Sequence, residues 1–375
     1  ITVDADATIV GKATFNKARW TAGKVNYEKG VNSGNQFTIF NKGVNTLKVK
    51  SATFGTPNFE TSLKAGDEIT PGEGMQFSLQ FNALETAAAV SDQLTVEFES
   101  GYKVSFPVAG EALGKNVAYY SFEPNPLELD WTKDFTMIDA DNAVSYAFGA
   151  YWLHFDKSGE KFAFAVGDDD METGLYGIMG PVSGTHALVA ASPAEATGQS
   201  ADNWIIYQQQ QATNSSKFDF YARNWESAES VLPSPAHHVS VLVSTKGNTK
   251  TSDFEVVMKD TEMPFLSGKA WNHYEVDLSK YAGQNIYVAV RHTTNGASNV
   301  CFFDDFTFTD LQPAGDGIVA VKAIGNEAEV EVYTLGGVLA KSGRGQETLQ
   351  SLNKGVYVVK VKEGDSIRTL RVAKK

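Results

Sequence analysis

Apolar residues recur at every second position over short stretches along this chain. The first hundred residues show it in QFTIFN (36–41), TLKVKSATF (46–54), MQFSLQFN (75–82), QLTVEFES (93–100) and YKVSFPVAG (102–110). A period of two sorts side chains onto the two faces of a β-strand. Between these runs lie VNSGN, NKGVN, TPGEG and ESG, made of the residues that build turns. Strands at this spacing predict a small Ig-like β-sandwich over residues 1–112.

Residues 113–313 continue in the same way with KFAFAVG, HALVAAS, NWIIYQQ, KFDFYARNW, HHVSVLVSTKG, DFEVVMK, WNHYEVDLS, QNIYVAVRHT and VCFFDDFTFTD. Several of these are apolar on both faces, and no segment keeps a helical period over three turns. The pattern predicts a two-sheet jelly-roll β-sandwich. LQPAGDG (311–317) reads as a linker. Residues 314–375 then carry IVAVKA, EAEVEVYT, GVLAKS, GVYVVKVKEG and SIRTLRVAKK, a third and smaller Ig-like sandwich. The expected fold class is therefore all-β in three units.

One strand departs from its own pattern. VCFFDDFTF (300–308) has the composition of a buried strand yet carries two adjacent aspartates. An ionised carboxylate away from water is costly unless it is paired or hydrogen-bonded. Strict alternation places Phe302, Asp304, Phe306 and Phe308 on one face, and Phe303, Asp305 and Thr307 on the other. Asp304 is thus expected to need a partner. The choices are a cation, a salt bridge to Arg291 or Arg223, or backbone amides.

Charge and composition narrow the function. A net charge of −13 argues against a general nucleic-acid binder. No apolar run approaches the roughly 18 residues of a spanning helix, so a soluble chain is expected, any export signal having been removed. The single cysteine, Cys301, allows no intrachain disulfide and reads as a small core residue. The chain lacks a G-x-S-x-G elbow, an H-E-x-x-H helix and a C-x-x-C pair. His237 and His238 open a strand with diverging side chains, and packing accounts for His292. The acids offer no spacing that singles out a glycosidase pair. No catalytic site is expected. Binding is better supported: Tyr146, Tyr151, Trp152, Tyr221 and Trp225 could present ring faces to a sugar or a protein, the alternative being core packing. GDDDMETG (167–174) echoes part of a cation-binding loop but reads as a solvated acidic loop.

Three resemblances add to this. Phe37–Leu47, Phe59, the PGE turn at 71–73, Phe77–Phe81 and Val104–Gly110 follow the order of the Ig-like domains of the Hydin and spindle-protein group, which implies a spacer or interaction module. YSFE (120–123), MIDADN (137–142), SADNWIIYQ (200–208), VSVLVSTKGNTKTSDFEVV (239–257) and WNHYEVDLSKYAGQNIYVAVRHTTN (271–295) followed by CFFDDFTF resemble the cleaved-adhesin family, the jelly rolls found beside gingipain-type proteases. The Asp-rich loop lacks the family's Gly-Asp-Gly continuation, and residues 162–181 have no counterpart in it. EVEVYTLGGVLAKS and LNKGVYVVKVKEGDSIRTLRVAKK resemble the sorting domain of the type IX secretion system.

The resemblances imply a secreted or outer-surface protein of a Bacteroidetes bacterium, delivered by the type IX machinery. They imply an adhesin that binds host or matrix protein, with a carbohydrate-binding module as the alternative. They also imply a structural Ca²⁺ in the jelly roll. Carried over residue by residue, its ligands would be Glu123, Asp139, Asp141 and Asp304, with Asp305 completing the shell. The first and last strands of a jelly roll often pair, which would bring Glu123 beside Asp304.

Overall fold

The computed structural model describes residues 12–84, 87–125, 129–145, 155, 157–168, 180–194, 197–225, 237–263, 270–294, 300–314, 324–325, 327–345, 347–350, 352–353, 355–364 and 366–374. Strands make up most of them, and the fold is all-β. Tyr146, Tyr151 and Trp152 lie outside the described residues, as does most of the 167–174 loop.

The alternating runs of the first hundred residues become strands whose buried side alternates as the sequence requires. Phe37–Asn41 buries Phe37, Ile39 and Asn41 and leaves Thr38 and Phe40 partly open. The inward residues meet in one cluster that includes Phe37, Phe59, Phe77, Phe81, Leu94, Phe98 and Phe106. The long hairpin of Ala88–Phe98 and Lys103–Ala112 forms the spine of this unit's five-stranded sheet, and Trp20–Val25 joins it in parallel.

The central unit is two facing antiparallel sheets. One runs Ala165–Asp168, His186–Ala191, Val300–Thr309, Lys217–Asn224, Asn272–Asp277. The opening strand Val117–Tyr120 pairs with Thr309–Phe306, end to end with His186–Ala191 along the same edge. The first and last strands do pair. The other sheet centres on Asn285–Thr294, flanked by Asp202–Tyr207 and His237–Ser244, with Phe135–Asp139 and Glu255–Glu262 outside them. Between the sheets lies an aromatic core in which the Phe308 ring stacks on Tyr207 at 3.9 Å and on Phe218 at 4.4 Å.

The last unit is a four-stranded antiparallel sheet of Leu339–Arg344, Glu329–Thr334, Gly355–Glu363 and Ser366–Lys374, with its own core of Val330, Val332, Val359 and Val361.

Candidate functional site

The two aspartates sit at a bulge in the last strand of the jelly roll. Thr307 and Asp304 stand opposite Asp219 and Tyr221, so three steps on one strand match two on its neighbour. Asp305 absorbs the extra residue with a left-handed φ of 52°, a conformation that Asp tolerates better than most residues. This reverses the phase of the strand. Cys301 and Phe303 before the bulge, and Phe306 and Phe308 after it, all face the core between the sheets. Val300 and Phe302 pack on the opposite face. Strict alternation had grouped Asp304 with Phe306 and Phe308, and the bulge corrects that. Both carboxylates leave the core side and meet at Ser183.

Asp304 is completely buried. Its Oδ1 accepts from the Asp305 amide (2.7 Å), and its Oδ2 from the amides of Val182 (2.8 Å) and Ser183 (3.3 Å). Burial, and then the neighbouring charge of Asp305, push its pKa up to about 9 in spite of these amides. Asp305 Oδ1 accepts from the Tyr119 hydroxyl and the Ser183 hydroxyl, both at 2.6 Å. Burial and the Asp305 charge drive the Tyr119 phenol far above its ordinary range, so it stays a donor.

Glu123 completes the arrangement from the chain just after the opening strand. Its Oε1 accepts from the amides of Thr185 and His186, each at 2.7 Å, and its Oε2 from His186 Nδ1 at 3.1 Å. That bond raises the His186 pKa against the opposing effect of burial. Gly184, at φ +61°, is the residue that lets Glu123 in: a Cβ there would stand 2.1 Å from Glu123 Oε1. Three carboxylates thus clasp the segment 180–186.

Asp139 and Asp141 lie elsewhere, at the end of an outer strand of the facing sheet. Asp139 accepts from the Asn142 amide (2.7 Å), and Asp141 from those of Ala143 (2.9 Å) and Asp202 (2.7 Å). Burial raises the Asp139 pKa, and the adjacent Asp141 adds to it. The five acids are divided between two places: Glu123, Asp304 and Asp305 hold the chain around 182–186, and Asp139 and Asp141 hold 142–143 and Asp202. Of the partners open to Asp304, backbone amides are what the fold supplies. Arg291 is committed to Asp202 through a two-pronged pair at 2.7 and 3.0 Å.

Trp225 is half-buried and packs with Trp271 and Phe162 against Phe155, Val189 and Phe302 on the outer face of the sheet. Tyr221 is also partly buried and lies against His273, ring centroids 4.7 Å apart.

Glu123 and Ser183 of the clasp line a cleft between the first two units. The cleft has a volume of about 570 Å³. Thr21–Lys24, Val31 and Asn32 line one side, and Tyr119, Ser121, Glu123, Asn125 and Ser183 the other. Asn26 holds the two sides together: its amide accepts from the Tyr119 N–H and donates to the Tyr119 carbonyl, both at 2.7 Å. Lys24 extends over the Tyr119 ring, Nζ 5.4 Å from its centroid. Nothing in the sequence announces that SGT at 183–185 faces carboxylates 62 and 122 residues away.

No protein-family model matches the chain, and no curated protein matches it. Among solved structures, the K1 cleaved adhesin domain of Lys-gingipain from Porphyromonas gingivalis is 20% identical, over 53% of this chain and 99% of that one, with a TM-score of 0.33. The K3 domain of the same protein is 17% identical, over 47% of this chain and 91% of that one, with a TM-score of 0.32. A carbohydrate-binding module of the β-sandwich superfamily is 11% identical, over 80% of this chain and 96% of that one, with a TM-score of 0.32. At these TM-scores the likenesses carry no argument about what the chain does.

Proposed function

We propose that this is a non-catalytic binding protein of the cell surface, an adhesin whose ligand enters the cleft between the first sandwich and the jelly roll. The observation that carries the reading is that cleft. Its volume of about 570 Å³ is that of a pocket for a few side chains or a small ligand. It offers a cation at Lys24 and amides at Asn32 and Asn125. A cation beside amide groups suits a polypeptide, with its acidic side chains and backbone hydrogen-bonding groups. Lys24 covers the Tyr119 ring, which is therefore not offered as a stacking face.

The acid clasp supports the non-catalytic reading, because Glu123, Asp304 and Asp305 each spend oxygens on holding the segment 180–186. A glycan is the second reading, favoured by the planar amides of Asn32 and Asn125, groups that pair with sugar hydroxyls. In this proposal the last unit is the address read by type IX export machinery, and the molecule is secreted or held on the outer surface.

The test uses the full chain against a panel of matrix proteins and a glycan array, beside Lys24→Ala and Asn32→Ala. Binding to a matrix protein that falls at least tenfold in both variants supports the adhesin. Glycan binding lost in the same variants selects the second reading. Binding of either kind that both variants leave intact overturns the cleft as the site.

A further inference from the structure

The jelly roll holds a group of donors that the acid clasp does not use. His237, His292 and Cys301 are completely buried, and one ring nitrogen of each histidine and the Cys301 Sγ lie within 4.8 Å of one another. The two histidines belong to one sheet, the cysteine to the facing one. His237 pairs with Thr294, and Val239 with His292, so the histidines are diagonal neighbours on the same face. Their rings stack at 5.0 Å with His237 Nδ1 2.7 Å from His292 Nε2. Cys301 faces them from the strand that pairs with Asn224.

Three polar atoms around this group have no partner in the protein: His237 Nε2, Asn203 Oδ1 and Asn224 Oδ1. Leaving a buried polar atom unpaired is costly, and of these residues His237 belongs to the histidine pair while the Asn203 side chain touches it. The Asn203 amide contacts His292 Nδ1 at 3.3 Å. Turned over, at the loss of its 3.4 Å bond to the Ala191 carbonyl, it would place its unpartnered oxygen on a His292 Nδ1–H, the carbonyl support typical of a metal-binding imidazole.

We infer that His237, His292 and Cys301 form a binding site for a zinc-like transition-metal ion that ties the two sheets of the jelly roll together. Two imidazoles and a thiolate are donors for Zn²⁺ or a similar borderline ion, and are poor ones for Ca²⁺ or Mg²⁺. On binding, the Cys301 S–H gives its proton to solvent, and a sulfur–metal bond replaces it. The proton shared by His237 Nδ1 and His292 Nε2 moves to the outer nitrogen of a ring, and the gap between these atoms opens from 2.7 Å to the roughly 3.3 Å of a tetrahedral ion. The site is separate from the ligand cleft and from the carboxylates.

The experiment is to refold the full chain with one equivalent of Zn²⁺, dialyse it against a weak chelator, measure bound zinc, and record zinc-edge X-ray absorption. The expected result is about one zinc per chain with one sulfur and two imidazoles in its shell. Co²⁺ in its place should show a thiolate-to-cobalt charge-transfer band. Cys301→Ser should lose that band and the sulfur scattering. These wild-type measurements stand even if the variant fails to fold. No retained zinc, or zinc in an all-oxygen shell, overturns the site and leaves a bare histidine pair or buried water.

Discussion

The phenol of Tyr119 donates a 2.6 Å hydrogen bond to the carboxylate of Asp305, a residue that a strand bulge has turned out of the core. Tyr119 is also the residue whose backbone N–H and C=O are both held by Asn26 of the first sandwich. One tyrosine therefore connects the bulge, the segment 180–186 and the junction between two units.

Removing that hydroxyl exposes what it does. Tyr119→Phe keeps the ring but leaves a nearly buried carboxylate oxygen with Ser183 as its remaining hydroxyl donor. The expected loss is about 1–3 kcal/mol, read as a lower urea midpoint with an unchanged slope. A midpoint equal to wild type would show that the bond contributes nothing net.

Asn26 makes a different demand. Asn26→Ala deletes two 2.7 Å bonds across the junction without touching either core. Scanning calorimetry should show the first sandwich and the jelly roll melting as more widely separated transitions, each with its own enthalpy retained. An unaltered thermogram would place the coupling elsewhere.

Two glycines provide a matched comparison. Gly184 and Gly198 both have positive φ, +61° and +63°, but a Cβ at Gly198 meets nothing within 4 Å. Gly198→Ala should cost about 1–2 kcal/mol for the backbone alone. Gly184→Ala adds the collision with Glu123, a further 1–3 kcal/mol or so. Equal losses would mean that Glu123 is free to move aside.

The clasp should also be sensitive to pH. The folded pKa values of Asp304 and His186 are both raised, to about 9 for Asp304. For such groups the stabilisation is fully present below the unfolded values, 3.8 and 6.5, and is lost as pH rises through the folded ones. Relative to Asp304→Asn, the wild type should lose stability steadily from pH 5 to 9, by at most about 1.4 kcal/mol per pH unit. Urea midpoints across that range check the slope, and parallel curves for the two proteins would contradict it.

Because the carboxylates at 123, 304 and 305 are engaged by amides and hydroxyls, adding Ca²⁺ should leave the melting temperature of the jelly roll unchanged. A rise on adding Ca²⁺ would restore calcium to these acids.

Much of the fold was readable along the chain because it depends on local periodicity. Alternation in QFTIFN or KFDFYARNW tells a strand which residues to bury, whatever it packs against. The clustering of strands into an all-β chain followed from the same alternation and from the turns between runs. VCFFDDFTF also marked Asp304 as a carboxylate in need of a partner, since burial cost depends on residue type.

What the sequence could not contain was the phase of that strand and the identity of the partner. A bulge at Asp305 is set by register against Asp219 and Tyr221, and it turned Asp304 to the opposite face from Phe306 and Phe308. The donors to the clasp come from 182–186, and the cysteine beside His237 and His292 comes from the facing sheet. Those are contacts between residues far apart in the chain, chosen when two sheets close on each other. Periodicity along one strand carries no record of them.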